Sequence, residues 1–192
     1  MKKPPVILHQ EIIAETRLFK VEALHLRFSN GEERRYERLK AGRYGAVMIV
    51  PMQDEDTVLL TKEYAAGLDH YELGLPKGLV EKDESFIEAA NRELMEEVGY
   101  GAHELVELKS ISLAPGYLNH RMSVVLARDL YPKRLQGDEP EEIEVVPWKL
   151  SELPELFKQA NCTEARSIAA LYLARDYLEN GYTFNTSPPQ SD

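Results

Sequence analysis

Glutamate side chains are concentrated in one short stretch of the sequence, residues 84–97. Glu93 and Glu97 are four residues apart, a spacing that places both carboxylates on one face of a helix, and Glu96 lies at the border of that face. Like charges at this spacing repel each other by roughly a few tenths of a kcal/mol. A hard divalent cation turns the repulsion into coordination, since Mg²⁺ accepts one or two carboxylates while keeping waters and substrate phosphates.

On its own, Glu-x-x-Glu-Glu would more often be a solvated acidic face than a metal site. The surrounding residues decide between these two interpretations. Gly78 is followed after five residues by Glu84, and after seven more by Arg92-Glu93-Leu94-Met95-Glu96-Glu97-Val98-Gly99-Tyr100. This arrangement resembles the Nudix box: glycine, five residues, glutamate, seven residues, then Arg-Glu-apolar-x-Glu-Glu-x-Gly-apolar. Every specified position matches, with Tyr100 in place of the usual aliphatic residue.

The resemblance implies an α/β protein, an α/β/α sandwich with a mixed sheet and a loop–helix–loop catalytic element. It implies that Glu93, Glu97 and the backbone carbonyl of Lys77 bind the metal. Glu96 would assist them, which also gives Glu96 a catalytic role. Glu84 and Arg92 would hold the loop against the helix, Arg92 thereby serving catalysis. Such enzymes hydrolyse a nucleoside diphosphate linked to another group, with Mg²⁺ as cofactor and Mn²⁺ as a substitute. Metal ions neutralise the diphosphate while a carboxylate takes a proton from the attacking water.

A second acidic segment, Gly137-Asp138-Glu139-Pro140-Glu141-Glu142-Ile143-Glu144, is similar to a loop of the ADP-ribose pyrophosphatase subgroup. By position, Glu139 matches the catalytic base and Glu141 an additional metal ligand. Glu142 and Glu144 stay open as alternatives for the base, and a solvated acidic loop is the alternative for the whole segment.

Further sequence features concern substrate binding. Pro115 lies fifteen residues after Tyr100, as in the same subgroup, although an ordinary Pro-Gly turn explains it equally well. Members of that subgroup exchange an N-terminal β-sheet across a homodimer and use it on the adenine side. The resemblance therefore suggests Phe28 and Tyr64 as base-stacking residues and Lys77 as a phosphate ligand, although aromatic residues on strands more often belong to the core.

Two differences from the ADP-ribose pyrophosphatase subgroup narrow the substrate class. Ala65 stands where the subgroup has a substrate-binding arginine, and Leu75-Pro76-Lys77-Gly78 is similar to diadenosine polyphosphate hydrolases. The combination most resembles bacterial Nudix enzymes that hydrolyse ADP compounds such as diadenosine triphosphate, ADP-ribose and NADH, releasing AMP. A narrow ADP-ribose or ADP-sugar pyrophosphatase is the alternative. A non-enzymatic sensing domain is a third, which the complete set of carboxylates disfavours.

The elements that position these residues can be predicted from periodicity. Residues 6–39 predict an antiparallel β region with a hairpin at Asn30-Gly31, where both turn residues would have positive φ. We expect a helix over residues 85–98 that Gly99 ends, and a last helix from Asn161, capped with Glu164, to Gly181. The remaining pattern predicts strands at 46–50, 57–61, 109–113 and 123–127, and loops at 67–78 and 131–144.

The predicted organisation is an N-terminal β region (residues 1–43) for dimerisation and the adenine side, a catalytic domain (44–181) and a flexible tail (182–192). The net charge of −10 disfavours nucleic-acid binding, which depends on neutralising phosphates with Lys and Arg. No apolar run is long enough to span a membrane. One cysteine, Cys162, suits a reducing cytoplasm. We therefore expect a cytoplasmic homodimer that acts on small ADP compounds.

Overall fold

A computed structural model describes residues 3–42 and 44–181. The described residues form two compact units, the first built from residues 3–42, 44–45 and 112–121 and the second from residues 46–111 and 122–181. The predicted tail, residues 182–192, and the domain boundary at Arg43 lie outside the described residues.

The first unit contains the predicted antiparallel sheet, with strands in the order β1 (Val6–Glu15), β2 (Lys20–Arg27) and β3 (Glu33–Leu39). The turn between β2 and β3 lies where Asn30-Gly31 predicts it, but the prediction of two positive φ angles is wrong. Gly31 has a φ of +86°, and Asn30 is not among the residues with positive φ. Asn30 instead accepts a hydrogen bond from the Glu32 backbone at 3.1 Å, which stabilises a longer loop.

The second unit contains a mixed sheet and a smaller antiparallel sheet. In the mixed sheet β4 (Ala46–Pro51) pairs parallel with β9 (Arg121–Pro132), and β7 (Lys77–Leu79) and β8 (Tyr100–Ser112) flank them. The antiparallel sheet has the order β10 (Glu144–Lys149), β5 (Thr57–Ala65) and β6 (His70–Gly74). The fold of this unit therefore centres on β4, which is buried along its whole length, and on the buried half of β9, residues 122–127.

Helices cover both faces of the mixed sheet. Val47 and Ile49 of β4 belong to one apolar cluster with Ala90 of α1 (Phe86–Glu93). Their neighbours Met48 and Val50 belong to a second cluster, which contains buried residues of α2 (Leu153–Leu156) and α3 (Ala165–Asn180). Because successive side chains of a strand point to opposite faces, the predicted α/β/α sandwich is confirmed.

Two expectations about the elements were wrong, and one strand was missed. The predicted loop at residues 67–78 contains β6 and β7. The predicted loop at residues 131–144 is confirmed over residues 133–143, and β10, which follows it, is the missed strand. The last helix begins at Ala165 because the Asn161 carbonyl accepts a hydrogen bond from the Leu73 backbone at 2.6 Å instead of continuing a helix. Its end at Gly181, with a φ of +65°, is confirmed. None of the helices in the described residues is long and apolar enough to cross a membrane.

Candidate active site

The acidic helix begins and ends where its sequence predicts. Ser85 caps the first turn by accepting a hydrogen bond from the Glu88 backbone at 3.2 Å, and the Ser85 backbone N–H donates to the Glu88 carboxylate at 2.9 Å. The final turn, Leu94–Val98, is π-helical, and Gly99 ends it with a φ of +83°. Single π-helical turns are rare and frequently accompany functional sites.

Arg92 connects the helix to the preceding loop. Its guanidinium donates to both oxygens of Glu84 at 2.9 and 3.0 Å, and to the backbone carbonyl of Leu79 at 2.9 Å. The same guanidinium donates to Glu93 at 2.8 Å and to Glu96 at 2.9 Å. These hydrogen bonds, above all those to Glu84, raise the pKa of Arg92. One fixed cation thus orients the box glutamates on either side of it.

Glu93 and Glu97 are buried, with 8% and 4% of their surfaces exposed. Burial raises the pKa of Glu93, and the neighbouring Glu96 and Glu139 raise it further, while the Arg92 guanidinium lowers it. Burial also raises the pKa of Glu97, to about 8. Lys77 only partly offsets that rise through its charge and through a backbone N–H that donates to Glu97 Oε2 at 3.2 Å. A site with two buried carboxylates and too little positive charge to balance them favours the binding of a cation.

Gly78 gives the loop its close approach to these carboxylates. A Cβ at this position would overlap the Glu93 carboxyl group. Within the described part of the chain, no three acidic, histidine or cysteine side chains converge to hold a metal by themselves. The donor set of two buried carboxylates next to the Lys77 backbone nevertheless fits Mg²⁺, because that ion binds through one or two carboxylates and retains several waters.

The two other predicted carboxylate ligands each have a hydrogen-bond partner. Glu96 is bound to Arg92, and Glu141 accepts a hydrogen bond from Tyr71 Oη at 2.6 Å. Glu139 is half-buried, and its charge acts on Glu93, so the structure brings it towards the buried pair. A Cβ on Gly137 would overlap the Glu139 carboxylate, so the loop folds tightly around this side chain.

The predicted substrate residues fall into two groups. Lys77 and Tyr64 line a cavity of about 440 Å³ in the second unit, where Lys77 Nζ pairs with Glu63 at 2.9 Å and Tyr64 donates to Asp69. Phe28 and Pro115 belong to the first unit. There Phe28 lies 6.4 Å from the Tyr36 ring, and Pro115 lines a cavity of about 190 Å³.

Sequence reasoning missed three residues of this region. Tyr71 binds Glu141, Glu63 binds Lys77, and Arg166 lines the cavity that contains Lys77. Glu63 lies on β5 two residues before Ala65, on the same face of the strand. The sequence comparison at Ala65 could therefore have pointed to it. The contacts of Tyr71 and Arg166 join segments about 70 and 90 residues apart along the chain. No local sequence pattern reports such contacts.

Known proteins resemble this chain over most of its length. Residues 5–38 match the NudE-type Nudix hydrolase N-terminal domain, and residues 42–171 match the NUDIX domain. The ADP compounds hydrolase NudE of Escherichia coli (strain K12) is 49% identical over 175 residues, which are 91% of this chain and 94% of that protein. An ADP-ribose pyrophosphatase of Bacillus subtilis (strain 168) is 27% identical, over 85% of this chain and 91% of its own length.

A solved structure agrees with these sequence matches. A crystal structure of an ADP compounds hydrolase superposes with a TM-score of 0.87 at 48% identity, covering 94% of this chain and 97% of the other. The similarity therefore extends through both the N-terminal sheet and the unit that carries the buried glutamates.

Proposed function

Because the chain belongs to the Nudix hydrolase family and is a pyrophosphohydrolase, we propose that it hydrolyses ADP-linked compounds, with diadenosine triphosphate, ADP-ribose and NADH as substrates and AMP as a product. The observation that supports this most is the buried pair Glu93 and Glu97 beside the Gly78 loop. Relatives whose names specify ADP compounds or ADP-ribose support the choice of substrate.

In the proposed mechanism, Glu93, Glu97 and the Lys77 carbonyl would hold Mg²⁺, or Mn²⁺ as a substitute, and Glu96 and Glu141 would assist. The cation supplies charge neutralisation of the diphosphate and a more acidic water. Glu139 takes the proton from the attacking water. Attack at phosphorus is mainly a matter of positioning and charge stabilisation. The contribution of Arg92 is therefore to hold the loop against the helix.

The leaving part of the substrate needs its own contacts. We propose that Lys77 binds a phosphate and Tyr64 stacks on a base, because both line the same cavity. Phe28 and Pro115 would act on the adenine side.

We propose that the chain is a homodimer that exchanges its N-terminal β region, and that it acts in the cytoplasm. All ten residues of β1 are exposed, including Val6 at 62% and Ile7 at 51%, which supports a partner for this strand. Light scattering of the purified chain tests the dimer: a monomeric mass would contradict it. A fluorescent fusion in living cells tests the location, and signal outside the cytoplasm would contradict it.

Incubation with Mg²⁺ and each of the three substrates tests the function. We expect AMP from all three by chromatography, and none when EDTA is present. Absence of AMP from every substrate would contradict the proposal.

A narrow ADP-ribose pyrophosphatase is the second candidate, supported by the Bacillus subtilis relative. The ratio of kcat/KM values discriminates between the two. A preference for ADP-ribose by several orders of magnitude would favour the narrow enzyme, whereas values within about tenfold correspond to small differences in transition-state binding and favour the broad one.

A further inference from the structure

The segment that follows β9 lies along the end of the acidic helix. The Lys133 backbone donates to the Gly99 carbonyl at 3.1 Å, and the Leu135 backbone donates to the Met95 carbonyl at 3.1 Å. These two bonds fall on either side of Arg134. The start of the acidic loop is therefore attached to the last turn of the helix through its own backbone.

The Arg134 side chain reaches the same helix end. Its Nη1 donates to the Glu96 carbonyl at 3.3 Å and its Nη2 to the Val98 carbonyl at 3.5 Å. The last carbonyls of a helix carry partial negative charge and lack partners within the helix, so a cation is favourable there. Gly99 leaves room for the guanidinium, because a Cβ at that position would lie 2.9 Å from Nη2.

This contact joins two parts of the site that are distant in sequence. Glu96 and Glu97 belong to the turn whose carbonyls Arg134 binds, and Glu139 follows Arg134 by five residues. Displacement of the loop start would move the base relative to the buried pair. Because misplacement by about 1 Å can cost roughly 10²-fold in rate, such a displacement would slow catalysis.

We propose that Arg134 is a positioning residue that clamps the loop bearing Glu139 onto the π-helical end of the catalytic helix. The inference rests on the proposed function for its catalytic consequence. It requires that loss of the guanidinium lowers kcat and leaves substrate binding nearly unchanged, since Arg134 does not line the cavity that contains Lys77 and Tyr64.

Three variants test the kinetic consequence. For Arg134→Gln we expect kcat to fall by about 10- to 100-fold, as for other residues that orient catalytic groups, with KM within about threefold. Arg134→Lys should recover part of the loss, because it keeps the charge but cannot place two donors as a planar fork. Arg128→Gln is the matched control, since Arg128 pairs with Glu104 at 2.9 Å on strand β9 and should leave kcat unchanged.

Amide hydrogen exchange tests the clamp without substrate. In Arg134→Gln, peptides that cover residues 94–99 and 133–137 should exchange faster, while strand β4 stays protected and Arg128→Gln exchanges like the parent. If Arg134→Gln does not fold, Arg134→Lys supports the same comparison.

Parental kcat in Arg134→Gln, a loss confined to KM, or unchanged exchange in both peptides would overturn the inference. A parent chain that releases no AMP would instead contradict the proposed function. Faster exchange at both peptides would then still support the clamp, and unchanged exchange would overturn it.

Discussion

The molecule carries carboxylates in two regions that differ in how they are held. In the helix region, residues 78–98, Glu93 is buried, bound to Arg92 and packed against Gly78. In the acidic loop, residues 137–144, Glu139 is half-buried and is followed by exposed carboxylates. Both regions place a glycine directly against a glutamate. Glu93 is enclosed by buried neighbours, whereas Glu139 is partly open to solvent.

This difference separates two tasks. A metal site needs carboxylates that hold their geometry without the metal, and burial against a helix supplies that rigidity. A base must reach a water whose position depends on the substrate, so some freedom is compatible with its role. We therefore expect substitutions that remove a carboxylate to lower activity strongly in both regions. Substitutions that only fill the space beside a carboxylate should lower activity strongly in the helix region alone.

The largest effect should come from the base. For Glu139→Gln we expect kcat to fall by on the order of 10³-fold, because the amide cannot accept the proton. Glu142→Gln, which makes the same change in charge at an exposed loop position, should stay near the parent. Steady-state AMP release measures both. A larger loss in Glu142→Gln or in Glu144→Gln would move the base to that residue.

A methyl group at Gly78 should have the next largest effect. Gly78→Ala forces the Glu93 carboxyl group to move, and we expect kcat/KM to fall by about 10²-fold. Gly67→Ala is the control, because a Cβ there meets nothing within 4 Å. Equal activity of the two variants would show that the Glu93 carboxylate is not held against the loop.

The affinity for Mg²⁺ should depend on pH through Glu97. Burial raises the pKa of Glu97 from 4.5 to about 8, so the folded protein binds a proton more tightly than the unfolded chain. Without metal, this group makes stability fall as pH rises from about 4.5 through about 8. Mg²⁺ needs the ionised carboxylate, so its affinity should rise by up to about tenfold per pH unit below pH 8 and then level off.

Calorimetric titration of Mg²⁺ at pH 6.5, 7.5 and 8.5 checks this expectation, with Glu97→Gln as a control that should show a smaller dependence. The same affinity at all three pH values in the parent chain would contradict the assignment of Glu97.

The smallest effect should come from a methyl group at Gly137. The predicted overlap involves the carboxylate end of Glu139, which is only half-buried and so has more open space around it than the buried Glu93 carboxylate. We expect Gly137→Ala to lower kcat by about twofold, in the range of ordinary surface substitutions. A loss as large as that of Gly78→Ala would show that the loop is as rigid as the helix.

The same contrast explains what could be predicted from the sequence. Helix geometry fixes the spacing of Glu93 and Glu97, and the Ser85 cap and Gly99 mark both helix ends, so this region follows from local pattern. The placement of Glu141 depends on Tyr71, which lies 70 residues away along the chain. Strands β6, β7 and β10 likewise depend on tertiary pairing, which overrides weak local signals.

The Glu97→Gln variant tests the assignment of the buried pair most directly. It keeps the shape of the side chain and removes its charge, and its purified form can be compared with the parent for AMP release at saturating Mg²⁺. We expect kcat/KM to fall by on the order of 10³-fold, because a metal contributes several kcal/mol of charge stabilisation. Undiminished hydrolysis would contradict the account and would place the metal elsewhere.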